Sequence, residues 1–160
     1  MQVNMTAKAQ FLKKLQEQKS SKGASAGINQ ADITEFRQRI GELQENMEAW
    51  LAGTGIGIDS TAVSLIEYLI GGKAFNVPGI LLRYENKTAE FTPVFLYGQG
   101  VTGCMEVSFG EDGKSTPAYR LYMRSSESTR WTWSPTGPGW PPRCEFNEDV
   151  FFDMMNRLLS

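Results

Sequence analysis

Three tryptophans and an arginine near the C-terminus are the side chains best suited to bind a partner. Trp131 and Trp133 are two positions apart, so both rings are expected on one face of a strand, with Arg130 on the other. Trp140 follows in a segment rich in proline and glycine, which indicates a rigid loop. Tryptophan and arginine often dominate the binding energy of protein interfaces. The alternative is that helices of the same chain cover the two strand tryptophans.

Two adjacent carboxylates form a second candidate surface. Glu111 and Asp112 precede Gly113, and the pair Asp112-Gly113 is typical of a type I′ hairpin turn. Exposed carboxylates at a turn can contact a basic partner and speed its capture. Carboxylates can also perform acid–base catalysis, although the sequence shows no pairing between those near the predicted sheet.

The absence of histidine excludes several kinds of catalytic site. The chain has no His and two Cys, Cys104 and Cys144. Ser-His-Asp and Cys-His nucleophiles are therefore excluded, as are His-containing and four-cysteine zinc sites within one chain. No catalytic, cofactor or metal site is expected, and both cysteines are expected to be reduced and buried.

Two glycine-containing stretches match nucleotide-binding motifs only in part. Residues 98–103 have the spacing G-x-G-x-x-G, but a strand pattern follows from Cys104 where a dinucleotide site needs a helix. Gly113-Lys114-Ser115 resembles the end of a phosphate-binding loop, yet Ser108 stands where its first glycine belongs. Both stretches are better explained as hairpin turns.

Helical periodicity is found at the two ends of the chain. The predicted helices span residues 6–19, 30–52, 59–70 and about 148–159. Residues 20–27 contain only Ser, Gly, Ala and Lys, which predicts a flexible linker and divides the chain into 1–27 and a single domain of 28–160. The third helix is apolar nearly all round and is expected to be deeply buried. Asn147 is the expected cap of the last helix.

The second predicted helix carries apolar residues at alternating spacings of three and four. They are Ile33, Phe36, Ile40, Leu43, Met47 and Trp50. Such a seam packs either on the chain's own sheet or against a partner helix. Self-association through residues 33–50 is therefore an open alternative.

After residue 75 the apolar period changes to two. Candidate strands span residues 79–84, 89–97, 102–109, 117–124 and 129–134. Because all connections between them are short, the strands are expected to form an antiparallel meander. The predicted fold is α+β, with about five strands and with N-terminal helices and a C-terminal helix packed on the sheet.

The charge of the chain is unevenly distributed. The 160 residues have a formal net charge of −2, but the first 22 carry five lysines against one glutamate. Because no arginine or aromatic residue interleaves with these lysines in the manner of a nucleic-acid site, a solvated helix face is expected and nucleic-acid binding is not. No apolar run is long enough to cross a bilayer, so a soluble cytoplasmic protein without a membrane partner is expected.

A small, acidic, histidine-free α+β chain resembles the cognate immunity proteins of bacterial toxin systems, including contact-dependent growth inhibition. The resemblance lies in composition, in layout and in the stretch 32–55. It implies a cytosolic inhibitor that binds one toxin domain and occludes its active site, but it implies no topology and no site. A secretion chaperone, a phage-type adaptor and a small enzyme that uses carboxylates are the alternatives.

Trp140 provides a first test of partner binding. If its ring contacts a partner, the substitution Trp140→Ala should weaken the complex by about 2 kcal/mol or more, because truncation removes a large apolar contact. Titration calorimetry with the purified partner measures this change. Unchanged affinity would remove Trp140 from the interface.

Overall fold

One long helix is followed by seven consecutive strands and a short C-terminal helix. The computed structural model describes residues 7–67, 73–98, 101–124, 130–136 and 144–159. Its elements are α1 (Ala7–Trp50), β1 (Gly57–Glu67), β2 (Lys73–Tyr84), β3 (Lys87–Phe95), β4 (Cys104–Glu111), β5 (Lys114–Tyr122), β6 (Trp131–Pro135), β7 (Cys144–Phe146) and α2 (Glu148–Met155), which continues as a 3₁₀ turn (Asn156–Leu158).

The strands form one sheet in the order in which they follow along the chain. Each pairs antiparallel with the next, from β1 to β7. The predicted α+β fold with an antiparallel meander is therefore confirmed. The strand number is seven rather than about five, because the sequence reading missed β1 and β7.

The predicted buried helix over residues 59–70 is wrong. Residues 57–67 form β1, which pairs with β2 along its whole length from Gly57 opposite Arg83 to Glu67 opposite Lys73. β-branched residues favour an extended backbone here, and side chains at alternate positions from Thr61 to Ile66 are half-buried and exposed. The segment is not deeply buried, because Ile66 is 59% exposed. Residues 68–70 lie outside the described part of the chain.

The first two predicted helices are one element. α1 runs for 44 residues from Ala7 to Trp50, so the predicted interruption at 20–27 is wrong for the backbone. Glycine and serine lower helix propensity by about 1 kcal/mol or less per residue and do not forbid a helix. The division of the chain into 1–27 and 28–160 stays a prediction.

The apolar seam of α1 packs on the chain's own sheet. Ile33, Phe36, Ile40, Leu43 and Met47 are buried in a core shared with β2–β6 and α2. The ring of Trp50 is half-buried, with its centroid 5.1 Å from that of Phe151 in α2. The seam cannot join two copies while the chain is folded, because these side chains are already covered.

A buried arginine links the seam to the far end of the sheet. The guanidinium of Arg39 donates hydrogen bonds to the carbonyl oxygens of Arg124 (3.1 Å) and Arg130 (2.8 Å), which follow β5 and precede β6. It also lies 5.7 Å from the Trp131 ring centroid and 3.6 Å from the Glu35 carboxylate. Burial lowers the pKa of Arg39, and the charge of Glu35 opposes that shift.

The C-terminal helix begins where the sequence predicts. The Asn147 side chain accepts a hydrogen bond from the backbone N–H of Val150 (2.9 Å), which satisfies one of the free donors of the first turn. Four of the five residues of the predicted apolar face are buried: Phe151, Met154, Met155 and Leu158. Val150 is half-buried.

The two cysteines differ in environment. The two are not joined by a disulfide; Cys104 is buried, as predicted, and Cys144 is exposed, so its predicted burial is wrong. Cys144 lies on β7, a short strand at one edge of the sheet that the described residues form. Among the helices described, none combines the length and apolarity needed to cross a membrane.

The Arg39 contacts predict a large effect on stability. Arg39→Ala is expected to lower the free energy of unfolding by about 2 to 4 kcal/mol, because two carbonyl oxygens lose a charged donor in a buried setting. Urea denaturation followed by tryptophan fluorescence measures it.

Arg83→Ala is the matched control for Arg39→Ala. The Arg83 side chain is 62% exposed, and it forms an ion pair with Asp59 at 3.7 Å. Removing such a surface pair should change the unfolding free energy by less than about 1 kcal/mol. Equal effects of the two substitutions would show that the Arg39 contacts do not hold the β5–β6 connection.

Candidate functional site

Trp131 lies inside the molecule. It is 5% exposed, and its ring centroid is 6.4 Å from that of Phe36 in α1. The guanidinium of Arg39, from α1, lies over the same ring. A ring in this position stabilises the contact between helix and sheet and offers almost no surface to a partner.

Trp133 belongs to an aromatic row that crosses three strands. Its ring packs edge-on against Tyr119 with centroids 5.5 Å apart, and Tyr119 packs edge-on against Phe109 at 6.2 Å. Trp133 is half-buried, and its indole Nε1 is enclosed without a hydrogen-bond partner among the described residues. The row leads from β6 through β5 to β4, and therefore toward the β4–β5 hairpin.

The structure does not gather all the predicted binding residues into one site. Arg130 is exposed and pairs with Glu145 at 3.2 Å, near the end of β5 that carries Tyr122. Glu111 and Asp112 lie at the opposite end of β5, about 26 Å away along a nine-residue strand. Trp140 lies outside the described residues.

Glu111 and Asp112 stand at the tip of a two-residue hairpin. Glu111 pairs with Lys114, and both Asp112 (φ 53°) and Gly113 (φ 80°) have positive φ. These angles confirm the predicted type I′ turn. Asn86, in the neighbouring β2–β3 turn, has its side-chain amide 3.2 Å from a Glu111 oxygen and 3.4 Å from an Asp112 oxygen. The amide donor therefore ties two hairpin tips together.

A groove of about 670 Å³ opens between this hairpin and the C-terminal 3₁₀ turn. It is lined by Lys87, Thr88, Phe109, Gly110, Glu111, Asp112, Lys114, Thr116, Arg157 and Leu158. Three of these side chains are cationic and two are anionic. The groove thus combines charges of both signs with an aromatic ring.

Arg157 forms the wall of the groove on the C-terminal side. Its guanidinium carbon lies 5.4 Å from the Phe109 ring centroid and 5.1 Å from that of Tyr119. Buried Leu158 anchors the same turn in the core. Sequence reasoning missed Arg157, because only the packing of α2 on the sheet brings it next to rings that lie 38 and 48 residues earlier.

A break in the strand register shapes the hairpin. Val107 pairs with Tyr119 and Ser108 pairs with Pro117, so Ala118 is an extra residue on β5. Such bulges bend and twist a strand and are frequent next to binding sites. Beyond this bulge, residues 114–117 are all exposed, and the hairpin tip therefore stands clear of the core.

The charged residues at the rim of the groove are largely exposed. Its two carboxylates converge on Asn86, but both residues are exposed, so water screens their charges. In the part of the chain described, no group of three Cys, Asp or Glu residues is placed to hold a metal ion. An aromatic floor with a rim of mixed charge is typical of protein interfaces.

A second, smaller cavity of about 320 Å³ lies between the end of α1, the β2 terminus and α2. It is lined by Thr54, Ile56, Tyr84, Phe152, Asp153, Met155, Asn156 and Leu159. Most of its lining is apolar, and it contains none of the predicted binding residues. It offers fewer charged groups to fix the orientation of a ligand.

Comparison with protein-family models, with curated proteins and with solved structures found no match to this chain.

Gly110 provides a test of the groove geometry. A Cβ atom there would lie 2.6 Å from the Thr88 hydroxyl oxygen and 3.1 Å from the Lys114 carbonyl oxygen. Gly110→Ala should therefore lower the unfolding free energy by about 1 to 3 kcal/mol, because the hairpin must shift. Chemical denaturation measures this change.

Gly41→Ala is the control, since a Cβ there meets nothing within 4 Å. Gly41 lies inside α1, where alanine should raise stability by up to about 1 kcal/mol. Equal tolerance of alanine at both positions would contradict the close packing of β3 and β5 around Gly110.

Proposed function

We propose that this chain is a non-enzymatic protein-binding protein that inhibits a cognate bacterial toxin domain, with the groove beside the β4–β5 hairpin as its contact surface. The observation that carries the proposal is the composition of this groove. Phe109 and Arg157 are of the residue types that anchor interfaces, and the acidic pair Glu111 and Asp112 lies at their edge.

The form of the hairpin favours an inhibitory role. Its tip is a tight two-residue turn, and Asn86 braces it from the next hairpin. Residues 114–117, at the start of β5, are exposed. A braced, projecting tip can enter the cleft of a partner at a small entropic cost, because little of it has to become ordered.

The charge of the tip indicates the chemistry of the partner. Glu111 and Asp112 are exposed, and the chain as a whole is acidic. A partner that presents lysine or arginine beside an apolar side chain would pair with these carboxylates and place the apolar group on Phe109. Charge complementarity of this kind mainly raises the association rate and the specificity.

Charge reversal at the tip tests the proposal. The double variant Glu111→Lys, Asp112→Lys should lose its partner, with affinity at least about tenfold weaker, because like charges then face each other. Tagged wild type and variant are used for affinity capture from the native host, and quantitative mass spectrometry compares what they retain.

The control variant Asp59→Lys, Asp149→Lys changes net charge equally at exposed positions outside the groove, and it should retain the partner. The captured protein is then expressed with and without this chain. Growth arrest that wild type relieves and the groove variant does not is the expected result. A partner that both variants retain, or one whose expression does not harm the host, would overturn the proposal.

A further inference from the structure

The charges of α1 are arranged against its own dipole. Its first turn contains Lys8 and no acidic residue, and its last turn contains Glu48 and no basic residue. A helix dipole favours negative charge at the N-terminus and positive charge at the C-terminus. Both ends of α1 therefore carry the sign that the dipole disfavours.

The N-terminal part of α1 differs from the part that packs on the sheet. Among the described side chains of α1, contacts with the body begin at Asp32, which accepts a hydrogen bond from the Tyr97 hydroxyl, and at buried Ile33. Nearer the N-terminus, Lys8 and Phe11 are exposed, Phe11 by 64%. We call residues 7–29 the arm; it contains five lysines and one glutamate.

The outer face of α1 on the body is acidic. Glu42, Glu45 and Glu48 are exposed along successive turns. Both arginines of this stretch are directed to the sheet: Arg37 donates to the Asn76 carbonyl oxygen (2.8 Å), and buried Arg39 interacts electrostatically with Glu42 alone of the three. This face therefore presents negative charge to solvent.

We propose that two copies of this chain pair antiparallel through α1, with the basic arm of each copy along the acidic outer face of the other. In this arrangement residue 13 of one copy lies beside residue 48 of the other, and residue 19 lies beside residue 42. The two-fold axis then passes between Gln30 and Ala31. Both of these residues are exposed. The pairing is isologous, so it forms a closed dimer.

A second copy of the chain complements the charge of both halves of α1. The other classes of partner considered complement only one half. A nucleic acid or an acidic membrane would suit the arm but be repelled by the glutamates. A second α1 lying antiparallel places opposite charges side by side, and it also places each helix end beside the opposite dipole end of its partner.

Two charge-reversed variants test the dimer. One replaces lysines of the arm (Lys13→Glu, Lys14→Glu, Lys19→Glu), and the other replaces the acidic face (Glu42→Lys, Glu45→Lys, Glu48→Lys). Lysine and glutamate have similar helix propensities, and Glu48→Lys suits the helix dipole, so neither variant should melt α1. Circular dichroism checks that helicity and thermal midpoint are retained.

Sedimentation velocity measures the oligomeric state. Wild type should dimerise at low ionic strength and dissociate as salt is added, with the dimer at least about tenfold weaker at 0.5 M than at 0.05 M salt. Each variant alone should be monomeric. An equimolar mixture of the two variants should form a heterodimer, because the reversed arm faces the reversed outer face at one contact and the wild-type arm faces the wild-type outer face at the other.

Glu85→Lys, Glu148→Lys, Asp153→Lys is the control for the acidic-face variant, since it makes the same change of net charge at exposed positions off α1 and should leave the dimer intact. A wild type that stays monomeric at millimolar concentration and low salt overturns the proposal. So does a dimer that both reversed variants retain, or a mixture that fails to associate. These outcomes are independent of partner capture at the groove, because the two sets of variants share no residue.

Discussion

The packing of α1 on the sheet is the interaction on which the rest of the structure depends, and Arg39 is its most demanding contact. A buried guanidinium costs free energy unless it is hydrogen-bonded. The carbonyl oxygens of Arg124, after β5, and Arg130, before β6, each accept a hydrogen bond from Arg39, whose Nε has no partner among the described residues, and Trp131 covers the group. Gly103 shows how closely helix and sheet approach, since a Cβ atom there would lie 2.7 Å from the Phe36 ring.

The groove is a consequence of that packing and of the connections at the other end of the sheet. α2 follows β7, the last strand of the meander, and packs on the core through Phe151, Met154 and Leu158. Its 3₁₀ extension then places Arg157 over Phe109 and Tyr119. The bulge at Ala118 turns the hairpin tip, and Asn86 holds it. The charged rim and the aromatic floor of the groove thus come from β3, β4, β5 and the 3₁₀ turn.

The errors of the sequence reading have physical causes. Residues 59–70 contain apolar side chains at both odd and even positions, and such a run fits a buried helix as well as a strand. Pairing with β2 stabilises the strand conformation over residues 57–67. The glycines and serines at 20–27 have a linker composition, yet the backbone continues as helix between two strongly helical stretches. The role of Arg39 could not be predicted from the sequence, because its hydrogen-bond acceptors lie 85 and 91 positions away.

Local patterns in the sequence were sufficient for the antiparallel meander, the seam of α1, the type I′ turn at Asp112-Gly113 and the Asn147 cap, because each depends on residues within a few positions of one another. They were also sufficient to exclude histidine chemistry. Only the tertiary structure decided that Trp131 is buried, that Arg130 and Glu111 lie at opposite ends of β5, and that Arg157 completes a groove. These facts depend on which distant surfaces meet when apolar area is buried, and the spacing of residues along the chain does not encode that choice.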